Sequence, residues 1–168
     1  MKRQHLRKLV LAGLLIAVGV ACSPFSIPVG AARCFPVQHM VNVLAAVLLG
    51  PLYGVGMAFI TSLLRVLLGT GSLLAFPGSM CGALLCGLIY HYQKNLPLTY
   101  AGEVVGTSLL GGALAYPLAT LVMAKEAALF TYVFPFFVST AGGTLLAAAL
   151  VFALQKTHVL ERFLSARA

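Results

Sequence analysis

The chain has 168 residues, of which 61% are hydrophobic and only 8% charged, with no tryptophan and a mean hydropathy of +1.02. A soluble domain carries about a quarter charged residues, so this composition excludes one and specifies an integral membrane protein. The net charge of +8 does not argue for nucleic acid, because the basic residues stand at the ends of apolar runs, as topology signals do.

The N-terminal MKRQHLRK followed by LVLAGLLIAVGVACS is similar to a secretory leader, and Ala21-Cys22 is similar to a lipoprotein cleavage site. Further apolar runs follow where a mature soluble domain would stand, so the segment is read as a first span, about 6–23. Breaks at Gly, Pro and polar clusters delimit five more, at about 38–50, 52–69, 77–93, 99–123 and 131–155. The second is short, since its 13 residues rise only about 20 Å. One kinked helix over 38–69 would reduce the count to five. Charge decides for six: Lys2, Arg3, Arg7, Lys8, Lys94, Lys156, Arg162 and Arg167 then share the cytoplasmic side, as positive residues tend to. The expectation is an all-α integral membrane protein, a single domain over 1–168 made of six transmembrane helices with both termini cytoplasmic.

Two polar islands interrupt the apolar sequence, RCFPVQHMVN (Arg33–Asn42) and LLGTGSLLAFPGSM (Leu67–Met80). With six spans, the loops 24–37, 70–76 and 124–130 lie together on the outside. Polar side chains are costly in lipid and so face a cavity or pathway. The outer half holds His39, Asn42, Arg65, Ser72, Ser79, Tyr116, Tyr132 and Ser139, whereas the inner half is plain apart from Glu103. An outward-facing pocket closed at its base fits this distribution. Its candidate substrate-binding residues are Phe35, Gln38, His39, Asn42, Arg65, Ser72, Phe76, Ser79, Tyr116 and Ser139. Glu103, near the cytoplasmic end of the fifth span, is assigned to a headgroup or partner contact and left out.

Plainer readings stand beside these. Arg65 is placed to snorkel to the interface, and Gln38 and His39 to cap a helix. Thr70-Gly71-Ser72 reads as a turn, Phe76-Pro77 as a helix start, and Tyr116 and Tyr132 as interfacial aromatics. Asn42, one turn further in, is harder to explain as a cap. Cys22, Cys34, Cys81 and Cys86 show no metal spacing and read as packing residues, with Cys34 the one candidate for ligand contact. Gly13, Ala17 and Ala21 form a small-residue stripe that permits close helix contact, either inside the bundle or with another membrane subunit. Catalysis finds no support: there is no GxxxxGK[ST] and no HExxH, and a Ser79–His39 pair lacks an orienting carboxylate on its face.

RCFPVQHMVNVLAAVLLGPLYG resembles the signature of ThiW-type S components, the substrate-binding subunits of energy-coupling factor (ECF) vitamin transporters. SLLRVLLGTGSLLAFPGSMCGALLCGL and GEVVGTSLLGGALAYPLA extend the resemblance to about 33–119. Val66 departs from it, standing where a polar residue, often Asn, is expected. The resemblance implies a six-helix bundle in a prokaryotic plasma membrane that captures a vitamin or precursor from outside. It implies docking, through Gly13, Ala17 and Ala21, on a transmembrane coupling subunit with two ATPases. ATP is then used by those partners, and no cofactor or metal is expected in this chain. Toppling of the loaded subunit would carry the substrate inward.

The ThiW group is associated with hydroxyethylthiazole, a thiamine precursor; thiamine or another precursor is the alternative, and a stand-alone transporter a second one. No acidic residue is expected in the outer half, which favours a neutral or weakly polar ligand. Hydroxyethylthiazole has about nine heavy atoms, so its ceiling of roughly 13 kcal/mol reaches nanomolar affinity only under nearly complete enclosure. Loops 24–37 and 70–76 would then act as a lid. Phe35 or Phe76 would cover the ring, Asn42, His39 or Ser79 would bond its nitrogen, and Arg65 or Gln38 would take the hydroxyl.

Overall fold

The computed structural model describes residues 2–30 and 32–158; Glu161, Arg162 and Arg167 lie outside the described residues. The helices are α1 (Lys2–Ala21), α2 (Pro36–Leu48), α3 (Pro51–Leu67), α4 (Ala75–Gln93), α5 (Leu96–Val122) and α6 (Val133–Lys156). The punctuation read from sequence works locally. Pro36, Pro51 and Pro97 occupy first turns, where a missing N–H costs nothing. Gly50, at φ +94°, reverses the chain between α2 and α3. The Asn95 side chain accepts from Leu98 N at 3.1 Å and caps α5.

Two features depart from the all-helical expectation. The first loop contains a short hairpin, β1 (Ile27–Val29) paired antiparallel with β2 (Ala32–Cys34), Ile27 opposite Cys34. Its strands are only three residues each, too short for a period-2 pattern to register. The hairpin leads directly into α2, which starts at Pro36 instead of about 38. Within α5, Gly106–Gly111 and Leu118–Val122 are π-helical, a wider winding frequent at functional sites.

By length and composition α1, α5 and α6 are apolar enough to cross a membrane, while α2 and α3 are shorter apolar helices. The shortness of α2 is explained by its place. From Gln38 to Val47 all its residues but Met40 are buried, and it packs against α1, α3, α4, α5 and α6. A helix buried all round sits in the centre of a bundle. Polar groups on α2 are therefore screened from lipid by other helices.

Glycines set how closely its neighbours approach. A Cβ on Gly111 of α5 would stand 2.5 Å from Gly78 Cα of α4, and one on Gly106 would stand 2.8 Å from the Cys81 carbonyl oxygen. The α4–α5 contact is thus backbone to backbone, as small residues allow in lipid. Tyr132 is not an interfacial aromatic: it is buried at 2% exposure with Leu74, Ala115, Ala119 and Phe136.

Candidate functional site

A cavity of about 350 Å³ opens where the hairpin, the α3–α4 loop and the α5–α6 loop meet. Seven of the ten candidate residues line it: Phe35, Gln38, His39, Arg65, Ser72, Ser79 and Ser139. Arg33, Thr70, Thr107, Lys125 and Phe136 also contribute to its walls.

The entry to α2 is held from α6. Phe35 N donates to Ser139 Oγ at 2.7 Å, and the buried Cys34 thiol donates to the Pro135 carbonyl at 3.1 Å. Desolvation pushes the Cys34 thiol up, against a smaller opposing backbone hydrogen bond from Ser139, so the sulfur stays a weak donor. Cys34 does not line the cavity. Gly143 allows this approach, because a Cβ there would meet the Pro36 oxygen and stand 2.7 Å from His39 Cβ.

A second set of bonds runs across the wall. Ser79 Oγ donates to the Ala75 carbonyl at 2.7 Å, so in its 3.0 Å contact with Ser62 it is the acceptor. Ser62 then donates to Ser79 and accepts from Gln38 Nε2 at 3.1 Å. Gln38 is fixed through its amide nitrogen by this chain.

Behind the cavity wall lies Glu103, fully buried. Its Oε1 accepts from Asn42 Nδ2 at 3.0 Å and Thr107 Oγ1 at 3.2 Å and meets His39 Nδ1 at 2.9 Å; Oε2 accepts from Cys86 Sγ at 3.3 Å. An ionised carboxylate offers only acceptors. With Glu103 ionised, His39 carries a proton on Nδ1 and has Nε2 free to face the cavity. Glu103 is thus not a headgroup contact: it is buried inside the bundle, bonded to the back of the cavity wall, and does not itself line the cavity. Residue counting put Glu103 and His39 at different depths. Yet Glu103 lies 19 residues before Val122, roughly 28 Å of helical rise, and still meets the first turn of α2. The hairpin itself stays largely exposed, but the first turn of α2 that follows it already buries Gln38 and His39.

Three candidates lie elsewhere. Asn42 stands behind the wall, donating to the Ser79 carbonyl at 3.1 Å as well as to Glu103. Phe76 packs against Phe59, ring centroids 5.5 Å apart, and Tyr116 is half-buried away from the cavity. Cys86, read as a packing residue, belongs to the Glu103 cluster. The carboxylate missing from the Ser79–His39 pair is present after all. However, the Ser79 hydroxyl is committed to Ala75 and makes no hydrogen bond to His39.

Arg65 does not snorkel. It is 1% exposed, with its guanidinium 3.6 Å from the centre of the Phe35 ring. Its carbonyl accepts from Thr70 N and Gly71 N, both at 2.9 Å, and a Cβ on Gly71 would stand 2.9 Å from Arg65 Cβ. The Thr70-Gly71 turn thus both ends α3 and clasps the arginine stem.

A family model described as thiamine-precursor transporter protein (ThiW) matches residues 9–157. No curated protein and no solved structure matches the chain.

Proposed function

The chain belongs to the ThiW family of thiamine-precursor transporters, and from that membership we propose that it is the substrate-capture subunit of an energy-coupling factor importer. It takes up a thiazole precursor of thiamine, hydroxyethylthiazole or a close derivative. It is a membrane transport protein; the rest of this assignment is our reading. On it, six helices cross a prokaryotic plasma membrane with both termini cytoplasmic, and the cavity opens outward.

The observation that carries the reading is the cavity itself. At about 350 Å³ it is at the small end of ligand sites, which run from about 300 to 1,000 Å³. Three loops at one end of the bundle close over walls supplied by the helices, which supports their acting as a lid. Phe35 and Phe136 offer ring faces, His39 Nε2 a bond to a heteroatom, and Gln38 a second polar contact.

Binding to purified protein in lipid nanodiscs tests this with hydroxyethylthiazole, thiamine and the pyrimidine precursor. We expect the thiazole to bind at micromolar concentration or below, and His39→Ala to weaken it about tenfold or more, the loss of one buried hydrogen bond. Undiminished binding in both His39→Ala and Gln38→Ala would show the cavity is the wrong place.

Docking is the second element of the proposal. Gly13, Ala17 and Ala21 are all exposed, and a Cβ on Gly13 would touch nothing within 4 Å. The stripe therefore does not serve packing within this chain. Its exposure supports a role in close approach to a coupling subunit that carries two ATPases. Gly13→Leu combined with Ala17→Leu is expected to leave ligand binding and thermal stability intact while abolishing co-purification with that module and ligand uptake. Normal uptake by the double variant would remove the stripe from the docking face.

The stand-alone alternative has one supporting observation, the buried Glu103–His39 pair, since carboxylates and histidines in membranes carry protons in pumps. Uptake by proteoliposomes containing this chain alone would favour it over the ATPase-driven reading.

A further inference from the structure

We infer that the ligand carries an oxyanion, a carboxylate or a phosphate ester, and that Arg65 binds it. The inference rests on the cavity being the substrate site and adds the charge of what enters it. Arg65 lines the cavity at 1% exposure, and Nε, Nη1 and Nη2 all lack a hydrogen-bond partner among the described residues. A guanidinium presents five N–H donors in a rigid fork, and a buried cation with none of them satisfied is strongly unfavourable. The rest of the protein does not relieve it. Glu103, the buried carboxylate, is occupied by Asn42, Thr107, Cys86 and His39.

The geometry also holds the fork ready. Stacking on Phe35 and the clasp of the Thr70-Gly71 turn restrain the side chain, so little motion is lost when two parallel N–H···O bonds form. Arg33 and Lys125 line the same cavity, and no acidic side chain does. The charged groups on the wall are all cationic. A neutral alcohol offers a single oxygen and no charge. A carboxylate or phosphate matches the fork bidentately and neutralises it. The sequence reading, in which Arg65 takes a hydroxyl, leaves the charge unanswered.

The test measures binding of four probes to the full chain in nanodiscs. They are hydroxyethylthiazole, its phosphate ester, the same thiazole bearing a ring carboxylate, and inorganic phosphate alone. One or both thiazole anions should bind at least about 30-fold more tightly than the neutral alcohol. Arg65→Gln should erase that advantage, and Arg65→Lys should restore part of it. Which anion wins identifies the source of the charge. If the neutral alcohol binds as tightly as both anions in the wild-type protein, the inference is overturned, whether or not the variants fold. It is also overturned if an anion's advantage survives Arg65→Gln, or if no anion binds in an Arg65-dependent way. If no thiazole binds but phosphate does, and loses binding in Arg65→Gln, the thiazole assignment fails and the anion site stands.

Discussion

Glu103→Gln is expected to cost roughly 3 kcal/mol of stability and to weaken ligand binding by about 30-fold or more. The carboxamide has the shape of the carboxylate but replaces one acceptor with a donor. Three donors, from His39, Asn42 and Thr107, converge on Oε1, and Cys86 donates to Oε2. Whichever way the amide turns, an NH₂ faces at least one of them. Breaking one member of a buried charged network leaves its partners unpaired, which costs more than the intact network contributes. The binding loss has a separate cause: even with the amide oxygen turned to Nδ1, a neutral carbonyl holds the Nδ1 proton less strongly than a carboxylate, so the tautomer and the aim of Nε2 are less firmly set. The checks are a thermal melt of the solubilised protein and a binding isotherm. A Glu103→Gln protein that melts and binds like the wild type would mean the carboxylate is an incidental buried acid.

Gly82→Ala is expected to lower stability by about 2–3 kcal/mol and to damage the site at once. A Cβ at this position of α4 would collide with Thr107 Oγ1 and stand 2.8 Å from each Glu103 oxygen. Those atoms are side-chain ends, but they are tied into the buried network with His39 and Asn42, and the α4–α5 contacts at Gly106 and Gly111 are backbone to backbone. Making room therefore breaks the network or parts the helices, and either displaces Glu103 and Thr107 from His39. Gly56→Ala on α3 is the control, because a Cβ there meets nothing within 4 Å. Alanine favours helix over glycine by up to about 1 kcal/mol, so Gly56→Ala should be neutral or slightly stabilising in the same melt. Equal melting temperatures for the two variants would contradict the close α4–α5 crossing.

Much of the site is legible in the sequence through a single rule, that polar residues gathered in an apolar chain have a common destination. Phe35, Gln38 and His39 from the first island and Ser72 and Ser79 from the second do line one cavity, together with Arg65 and Ser139. The rule places residues at an end of the bundle but not around its circumference. Phe76 is next to cavity residue Ala75 in sequence, yet it turns to Phe59. Asn42 faces inward as expected but is spent on Glu103 and Ser79.

The omission of Glu103 has a different origin. It was visible as the one carboxylate inside a likely span, and an ionisable residue in that setting calls for a partner by default. Counting residues from loop to loop supplied the wrong depth, and so the wrong neighbours. Thr107 and Lys125 had no such signal: a threonine in a helix and a lysine in a loop are ordinary until the fold brings them to one wall.

What the sequence determined by itself was the solvent, the order of the helices and the family. These follow from composition, from Gly and Pro punctuation, and from motifs read along the chain, and none of them needs a contact between distant residues. The tertiary structure alone decided the central burial of α2, the meeting of His39 with Glu103, and the isolation of Arg65 over Phe35. Each is a contact between segments far apart in the chain, set by how closely glycine-bearing helices approach one another. Periodicity registers which face of a helix is apolar, not how far one helix slides along its neighbour.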